Sequence, residues 1–497
     1  MDESLCLRGY KYRQGIRDPT EDPDVQRPDW IEERPYQKEA IRNWLDQGGK
    51  GILNMATGTG KTVTALLAAE TVAESIDNKL ALIIAVPYQH LVDQWKEDLQ
   101  DFDIGPVLAY QSRMKWQERL EREILEFNIG VRDTLVVITT HRTFASDPFQ
   151  AELQRLRSPG QMLIADEVHH LGAPSIKEAL PDSVPLRLGL SATPERWYDE
   201  EGTEELMAYF GGGVAFEYSL QEAIADGSLC EYYYVPHIIE LTDDEIVEYL
   251  KLSRKIAKLA SRMDSDLGDT DLQSNTSLKH VLFKRARLVG TAKNKLARLV
   301  GLLEQEKEGI SHTLIYCGDG SIESDVHGET ERHVDATVET LRSELNLTAR
   351  KFTAEVSQSE RQELLNQFGT GEISALVAIR CLDEGVDVPA TKKAYILASS
   401  SNPRQFIQRR GRILRKYPDK QYSVIHDFIV RPPEPVTSTI DNSEEFGTER
   451  ALIRKELERV SMFAEAARNH PDADIRGVPT DSNSLQELKR KFNLLEM

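Results

Sequence analysis

The chain has 497 residues, of which 40% are hydrophobic, and a formal net charge of -21 at pH 7. A chain of this length is too long to fold around one hydrophobic core, so it predicts two or three domains. No stretch approaches the ~20 consecutive apolar residues of a membrane helix, and the opening MDESLCLRGYKYRQGIRD lacks the apolar core of a secretory signal. The 4 cysteines form no CxxC pair. That spacing argues against a zinc ribbon or a disulfide framework, and it predicts that the protein is located in a reducing cytoplasm.

The acidic charge bears on the choice of partner, because nucleic-acid binding depends on neutralising phosphates with Lys and Arg. A balance of 61 Lys and Arg against 82 Asp and Glu counts against such a partner unless the basic residues are gathered in one place. They do gather late in the chain, at Lys392, Lys393, Arg404, Arg409, Arg410, Arg415 and Lys416. The acidic surface is typical either of an ordinary protein or of one from a high-salt cytoplasm, where salt screens self-repulsion.

Short apolar runs of strand length recur between segments with helical spacing. The runs before a charged helical stretch are GILNM, ALIIAVP, LVVITT, MLIADE and RLGLSAT, and those after it are TLIYCG, RKFTAE, SALVAI, KAYILAS and YSVIHDFI. Continuous apolar runs are typical of parallel strands buried on both faces in α/β domains. We predict five segments, namely an arm (1–30), an α/β domain (31–240), a helical linker or insertion (241–305), a second α/β domain (306–430) and a helical tail (431–497).

A glycine-rich loop, ATGTGKT, joins the run GILNM to the apolar helical segment VTALLAAETVA. Gly58 and Gly60 allow backbone N–H groups to approach phosphates, and the N-terminus of the following helix favours negative charge. Lys61 is expected to reach the β- and γ-phosphates, and the Thr62 hydroxyl to bind Mg²⁺. Met55 stands where the full loop pattern has its first glycine. The predicted nucleotide-binding residues of this loop are Thr57, Gly58, Thr59, Gly60, Lys61 and Thr62.

An acidic pair, Asp166 and Glu167, ends the run MLIADE. Such a pair at the end of a buried strand is costly unless a metal or ligand uses it. We predict that Asp166, with Thr62, serves Mg²⁺ through its water shell and that Glu167 orients the attacking water. The competing interpretations are a strand end entering a solvated turn, and a metal site at His169 and His170 without other clustered ligands.

In order and content, the motifs of the first half resemble those of superfamily-two helicases, a family that accepts an alanine-led loop such as ATGTGKT. The run RPYQ resembles its adenine-reading motif and implies that Gln37 binds the base edge with support from Arg34. VPYQHLVDQW, which contains Trp95, resembles the family's motif that contacts the nucleic-acid strand. DEVH is the DExH form of the Walker B box, and the tripeptide that begins at Ser191 matches the SAT motif that couples hydrolysis to domain movement.

The resemblance continues in the second half and ends near Asp427. DEGVD resembles motif five, with Gly385 and Asp387 at the nucleotide. QRRGRILR resembles motif six, which implies that Gln408 contacts the γ-phosphate region and that Arg412 and Arg415 act as arginine fingers. The alternative for this run is a basic helix face in solvent. The polar stretch 318–333 departs from the family pattern, and we expect it to be a surface insertion.

The resemblance implies two tandem RecA-like domains with one ATP site between them, and ATP and Mg²⁺ as cofactors. The QW pair, DEVHH and the long helical stretch are most similar to the XPB-like and restriction-translocase branch. We therefore predict a cytoplasmic, ATP-dependent DNA helicase or translocase of 3′-to-5′ polarity, with no membrane partner. Two alternatives stay open. One is an RNA helicase, and the other is an ATP-driven switch or remodelling subunit of a restriction or phage-defence complex. Partner proteins of a repair or defence complex are also compatible with the sequence.

Overall fold

A computed structural model gives the structure of the chain. It describes the following residues: 25–157, 160–195, 199–260, 276–306, 309–318, 320–323, 330–353, 355–379, 388–398, 403–433, 443–469 and 489–490. These residues form two compact units, which meet in sequence at Asp226 and Gly227. Among them, no helix has both the length and the apolar content that crossing a membrane requires.

The first unit is built on a seven-stranded sheet with the order β3-β4-β2-β5-β6-β1-β7, and all of its pairings are parallel. Its strands are β1 (Lys50–Met55), β2 (Leu80–Val86), β3 (Val107–Ala109), β4 (Thr134–Thr140), β5 (Gln161–Asp166), β6 (Leu186–Ser191) and β7 (Val214–Tyr218). Every residue of β2 and β4 is buried. This explains why the apolar runs are continuous rather than alternating.

Helices cover the faces of this sheet. They are α1 (Pro35–Asp46), α2 (Lys61–Ser75), α3 (Gln89–Asp101), α4 (Arg113–Asn128), α5 (His141–Phe144), α6 (Asp147–Leu153), α7 (Pro174–Lys177), α8 (Glu200–Tyr209) and α9 (Leu220–Ala225), with a 3-10 turn at Val168–His170. The longer ones are amphipathic. In α3, for example, Leu91, Val92, Trp95 and Leu99 are buried, at the spacing of one helix face.

The register of the central strands brings three loops to one edge of the first sheet. β1 pairs with β6 so that Asn54 lies opposite Ser191, and β5 pairs with β6 so that Asp166 lies opposite Leu190. Because the strands are parallel, the loops that follow their carboxyl ends all leave from the same edge. The glycine-rich loop, the DEVH segment and the SAT segment therefore meet there.

The second unit contains a six-stranded parallel sheet with the order β12-β13-β9-β14-β15-β8. Its strands are β8 (Glu231–Glu240), β9 (Thr313–Tyr316), β12 (Ala349–Phe352), β13 (Ala375–Ala378), β14 (Lys393–Ile396) and β15 (Tyr422–Arg431). Its helices are α10 (Asp243–Ala260), α11 (Thr276–Gly290), α12 (Lys293–Glu304), α13 (His333–Ser343), α14 (Gln358–Thr370), α15 (Pro403–Ile413) and α16 (Ser443–Ala464). The predicted fold, two tandem α/β domains with parallel sheets, is confirmed.

The division between the units differs from the expected boundary at residue 240. The sequence predicts β8 in the first domain, but β8 pairs with β15 along its whole length, from Glu231 opposite Tyr422 to Glu240 opposite Arg431. The predicted linker (241–305) also belongs to the second unit, because Tyr249 of α10 and Leu299 of α12 lie in its hydrophobic core. The second unit therefore begins at Gly227.

The tail helix α16 is fastened to the edge of the second sheet. Arg459 donates two hydrogen bonds to the Asp427 carboxylate of β15, at 2.9 and 3.1 Å, and both side chains are buried. Tyr234 of β8 donates a third to the same carboxylate at 2.8 Å. Paired charges with this many hydrogen bonds are tolerated in a protein interior, and the predicted helical tail is in part a component of this core.

The expected surface insertion (318–333) contains a small antiparallel hairpin. Its strands are β10 (Ser321–Glu323) and β11 (Thr330–Arg332), with Ser321 opposite Arg332. The two strands form a sheet of their own, separate from the six-stranded sheet. The insertion thus has regular structure, whereas the sequence indicated only a polar segment.

Two histidines inside the second sheet predict an acid-sensitive fold. His237 of β8 and His426 of β15 are buried and stacked, with Nε2 of the former 2.9 Å from Nδ1 of the latter. Burial, and then the Arg298 charge, lowers the pKa of His237 to about 3. Burial and the neighbouring His237 also lower the pKa of His426 well below its ordinary value. The unfolded chain therefore binds more protons than the folded one at acid pH.

Stability is expected to be complete above the ordinary histidine pKa of ~6.5 and to fall as the pH drops toward 3, by up to ~1.4 kcal/mol per pH unit for each such histidine. His237→Gln should weaken this dependence, and the exposed His280 provides the control variant His280→Gln. Urea unfolding at pH 7.5 and pH 5.0 measures the effect. Equal pH dependence in the wild type and His237→Gln would contradict the prediction.

Candidate nucleotide site

The glycine-rich loop connects β1 to α2 at the carboxyl edge of the first sheet. Gly58 has φ 91° and Gly60 has φ 84°, in the left-handed region that glycine adopts without steric cost. Gly60 is the N-cap of α2 and has no side chain to cap the helix. The first N–H groups of a helix have no intrahelical acceptor, so the loop presents them to an anion.

An aromatic side chain that the sequence reasoning did not assign holds this loop. The Tyr36 hydroxyl of α1 donates to the Thr59 carbonyl at 2.6 Å, and its ring stacks on Tyr218 of β7 with centroids 4.1 Å apart. Thr59 also folds back, its hydroxyl donating to the Ala56 carbonyl at 2.7 Å. The loop is therefore fixed by side-chain bonds before a ligand arrives. Tyr36 stands inside the RPYQ run, but the sequence does not reveal its role because its partner, Thr59, lies 23 residues away.

Two polar groups of the loop suit a phosphate ligand. Nζ of Lys61 lies over the loop and donates to the Met55 carbonyl at 3.2 Å, so the residue at the missing glycine position contributes its backbone. The Thr57 hydroxyl oxygen is buried and has no hydrogen-bond partner in the part of the chain that the structure describes. A buried polar group of this kind is costly unless a ligand or water satisfies it. With the helix N-terminus, these groups fit the phosphates of a nucleotide.

The predicted adenine reader, Gln37, lies beside the loop. Its side chain is 3% exposed. Its amide oxygen accepts from the Arg34 backbone N–H at 2.9 Å, and its amide nitrogen donates to the Thr64 hydroxyl of α2 at 3.2 Å. The Arg34 guanidinium donates to the Tyr36 hydroxyl at 3.3 Å. Gln37 thus connects α1 to α2 and the loop, and its contact with adenine stays a prediction.

The DEVH segment follows β5 at the same edge. Oδ1 of Asp166 accepts the backbone N–H of Glu167 at 2.9 Å, and Oδ2 accepts the indole N–H of Trp95 at 2.9 Å. Glu167 has φ 45°, which is uncommon for a residue other than glycine. Strained backbone of this kind is concentrated at functional sites. Trp95, which belongs to the run that resembles a nucleic-acid-strand-contacting motif, is buried and bonded to this turn.

A histidine connects the DEVH and SAT segments. Nδ1 of His169 lies 3.3 Å from the Ser191 hydroxyl oxygen and 3.6 Å from a Glu167 carboxylate oxygen. The same Ser191 oxygen accepts the backbone N–H of Thr193 at 3.0 Å. The structure therefore brings Glu167 and the SAT segment together through one side chain.

Metal binding at this site would depend on few protein ligands. Within the described ranges, no group of three or more His, Cys, Asp or Glu side chains is arranged to hold a metal ion. Mg²⁺ commonly uses one or two protein ligands and keeps several waters when it binds with substrate phosphates. The Asp166 carboxylate and the Thr62 hydroxyl, at the same sheet edge, fit such a site.

Glu167→Gln is expected to bind ATP and retain it, because the amide keeps the side-chain shape but cannot accept a proton from water. Equilibrium binding of labelled ATP, followed by chase with unlabelled ATP, measures retention, and phosphate release measures turnover. Glu217→Gln changes an exposed carboxylate of β7 and should behave as the wild type. Loss of ATP affinity in a folded Glu167→Gln protein would assign Glu167 a different role.

The arginine run of the second unit has two structural members. Arg409 of α15 donates to the Ala398 carbonyl at 3.2 Å, with its guanidinium over the Tyr316 ring. Arg410 donates to the Met462 carbonyl of α16 and lies over the Phe463 ring. These contacts use both arginines inside the second unit. The interpretation of the whole run as a solvated basic face is therefore wrong for them.

The remaining motif-six residues lie in and just after α15. Gln408 and Arg412 are buried and one helical turn apart, and Arg415 is half-buried. The buried Lys420 ammonium donates to the Ile413 carbonyl at 2.5 Å and to the Arg415 carbonyl at 2.8 Å, which fixes the segment after the helix. The predicted motif-five residues Gly385 and Asp387 lie outside the described residues.

Comparisons with known proteins match a different family model to part of each unit. The family described as "Type III restriction enzyme, res subunit" matches residues 30–196, and "Helicase conserved C-terminal domain" matches residues 294–417. The chain is 31% identical over 396 residues to "DNA 3'-5' translocase XPB2" of Sulfurisphaera tokodaii, an alignment that covers 78% of this chain and 80% of that protein. The chain belongs to the XPB-like superfamily-two helicases.

Other relatives of this family are more distant or longer. "Putative DNA 3'-5' helicase Rad25" of Haloarcula marismortui is 24% identical over 395 residues, which cover 79% of this chain and 52% of that protein. The solved structure "ATP-dependent Type ISP restriction-modification enzyme LlaBIII bound to DNA" has a TM-score of 0.57 at 17% identity, covering 94% of this chain and 32% of that one. The Pyrococcus furiosus Hef helicase domain has a TM-score of 0.51 at 16% identity, covering 80% of this chain and 95% of that one.

Membership has a direct chemical consequence. Helicases and translocases of this family hydrolyse ATP, and the chain is accordingly an ATP hydrolase. The structural likenesses, at under a fifth identity, show the fold alone. Both units are RecA-like α/β domains, as the motifs predicted.

Proposed function

We propose that the chain is a DNA-dependent ATPase that acts as a helicase or translocase with 3′-to-5′ polarity. The catalytic part is supported by the loop, DEVH and SAT segments at one sheet edge. DNA and the polarity are supported by relatives such as the "DNA 3'-5' translocase XPB2" of Sulfurisphaera tokodaii. The observation that carries the nucleic-acid part is a basic surface on α10 and α11, in a chain whose net charge is -21.

The basic surface begins in the second half of α10. Lys251, Arg254, Lys255 and Lys258 are all exposed, and their spacing places them on one face of the helix. The acidic residues of α10 are confined to its beginning, at Asp243, Asp244, Glu245 and Glu248. The charge of this helix is therefore separated along its length, and the acidic and basic parts meet where Lys251 Nζ lies 3.0 Å from a Glu248 carboxylate oxygen.

The neighbouring helix α11 continues the surface. Lys279, Lys284 and Arg287 are exposed, Phe283 between them is 66% exposed, and α11 contains no acidic residue. The two helices pack together through an apolar cluster that includes Leu252 and Val281. The sequence that joins them has four aspartates, Asp264, Asp266, Asp269 and Asp271, outside the described residues. Clustered Lys and Arg beside an exposed aromatic ring suit a nucleic-acid backbone and its bases.

ATP with Mg²⁺ is the proposed cofactor pair. Bound Mg²⁺ would neutralise phosphate charge during transfer. In this proposal Lys61 and the N-terminus of α2 hold the β- and γ-phosphates, Thr62 and Asp166 serve the metal, and Glu167 orients water. Arg412 and Arg415 stabilise the charge that develops on the γ-phosphate. Similarity to restriction-enzyme subunits makes a remodelling subunit in a restriction or defence complex the second candidate.

ATP turnover of the full chain with duplex DNA, single-stranded DNA and RNA in parallel tests the proposal. Stimulation by DNA above that by RNA supports it, and stimulation by RNA alone would favour the RNA helicase. Turnover that no nucleic acid changes would favour the remodelling subunit. Displacement of a triplex-forming strand, compared with unwinding of a forked duplex, separates translocation from strand separation.

Paired substitution of Lys255 and Lys284 with Gln tests the basic surface. The log–log slope of DNA affinity against salt should become shallower by ~0.9 for each lost phosphate contact. The corresponding Arg substitutions keep the charge and should leave the slope unchanged. An unaltered slope in the Gln variant would remove α10 and α11 from the DNA contact without affecting the assignment of the ATP site.

A further inference from the structure

The indole N–H of Trp95 is bonded to the carboxylate that is proposed to serve Mg²⁺. Trp95 lies in the middle of α3 and is 1% exposed. Its Nε1 donates to Oδ2 of Asp166 at 2.9 Å, while Oδ1 accepts the Glu167 backbone N–H at 2.9 Å. Each carboxylate oxygen therefore has a fixed donor from a different element, α3 on one side and the DEVH turn on the other.

We infer that Trp95 is a positioning residue, whose N–H holds the Asp166 carboxylate in the orientation that the water shell of Mg²⁺ requires. A carboxylate has about four acceptor sites, and the two donors leave the others for metal-bound water. Donors that orient a metal-serving carboxylate affect metal affinity although they do not touch the metal. This inference rests on the proposed function, in which Asp166 serves Mg²⁺.

Packing alone does not require this hydrogen bond. Trp116 of α4 is also buried in the first unit, at 3% exposure, and its Nε1 has no hydrogen-bond partner in the part of the chain that the structure describes. The core of this unit therefore accommodates an indole without an acceptor. An indole N–H can only donate, so directing it at a carboxylate of the DEVH segment is a specific feature of Trp95.

The first unit also supplies a tryptophan whose hydrogen bond is purely structural. Trp44 of α1 is buried, and its Nε1 donates to the Arg187 backbone carbonyl at 3.1 Å. That carbonyl lies at the amino end of β6, away from the DEVH edge. The same change, Trp to Phe, therefore removes a bond to Asp166, a bond to a distant carbonyl, or no bond at all.

The test uses Trp95→Phe, Trp44→Phe and Trp116→Phe in the full chain. The measured quantity is the Mg²⁺ concentration that gives half of the Mg²⁺-dependent gain in affinity for a fluorescent, non-hydrolysable ATP analogue. This readout is independent of turnover. Trp95→Phe is expected to raise that concentration by ~10–100-fold, the usual cost of losing such a donor. Trp44→Phe and Trp116→Phe should each lower the melting temperature, because both remove buried ring atoms, but neither should show this shift.

Replacement of Trp95 by benzothienylalanine, in which sulfur stands in place of the N–H, keeps the ring volume and removes only the donor. It provides the answer if Trp95→Phe does not fold. A wild-type Mg²⁺ half-point in this variant overturns the inference. So does an equal shift in Trp95→Phe and Trp44→Phe, because the effect would then be general destabilisation.

Asp166→Asn, measured beside these variants, separates the two proposals. If Asp166→Asn loses its Mg²⁺ dependence and the Trp95 variants keep theirs, only the positioning role of Trp95 is wrong. If Asp166→Asn keeps the Mg²⁺ dependence of the wild type, the assignment of Asp166 in the proposed function is wrong, and the role of Trp95 is overturned with it.

Discussion

Lys61→Ala is expected to reduce ATP turnover by at least about a hundredfold, the usual effect of removing one fixed group that stabilises transition-state charge. The ammonium lies over the loop, within hydrogen-bond distance of the Met55 carbonyl, and can turn toward a bound phosphate without moving the backbone. The loop itself is held by Tyr36 and by Thr59, so loss of the Lys61 side chain leaves its shape intact. Phosphate release at saturating ATP measures the effect.

The matched control is Lys50→Ala. Lys50 begins β1, and the loop leaves the other end of the same strand. The control removes one lysine charge from the strand that precedes the loop and should turn over ATP as the wild type does. Thermal melting of both variants establishes that they fold. Near-normal turnover in a folded Lys61→Ala protein would contradict the assignment of ATGTGKT as the phosphate loop.

The features that the sequence predicted correctly depend on residues close together in the chain. The glycine-rich loop, the strand before it and the helix after it span fewer than thirty residues. Apolar runs without alternation indicate strands buried on both faces, and the fully buried β2 and β4 match that prediction. The carboxyl ends of such parallel strands then share an edge, so the meeting of the loop with the DEVH segment followed from the fold class.

The features that the sequence did not reveal depend on distant partners. The apolar pattern of β8 fits either sheet, and its place is decided by pairing with β15, which lies 191 residues later. The sequence predicts that Trp95 lies in a motif that contacts a nucleic-acid strand, but its hydrogen-bond partner is Asp166, 71 residues away. A basic run likewise does not show which of its arginines are used internally. The structure shows that Arg409 and Arg410 are used inside the second unit, because their guanidinium groups lie over the rings of Tyr316 and Phe463.

The basic surface of α10 and α11 was missed for a related reason. Over the predicted linker as a whole, the acidic start of α10 and the aspartates between the helices offset most of the lysines and arginines. The structure separates these charges, because the acidic residues of α10 lie in its first two turns, whereas Arg254, Lys255 and Lys258 lie beyond them. The objection that the net charge of -21 raises against a nucleic-acid partner therefore applies to the whole chain, not to each of its surfaces.

Replacement of Arg412 or Arg415 with Ala is expected to lower ATP turnover by ~10³-fold or more, as for arginine fingers in other phosphoryl-transfer enzymes. The two neighbours, Arg409 and Arg410, are occupied by the interior of the second unit. Gln408 and Arg412 lie one turn apart, and Lys420 fixes the backbone at Arg415. ATP affinity should be nearly unchanged, because the phosphate loop belongs to the first unit, so the loss appears in kcat rather than in nucleotide binding.

Two control variants distinguish this effect from loss of structure. Lys416→Ala removes an exposed charge next to Arg415 and should leave turnover and melting temperature unchanged. Arg410→Ala should show the reverse pattern, a lower melting temperature, because its guanidinium fastens α15 to α16. Arg415→Lys keeps the charge but not the planar fork, so partial recovery of turnover is expected. Normal turnover in both folded Ala variants would show that motif six has only a structural role in this chain.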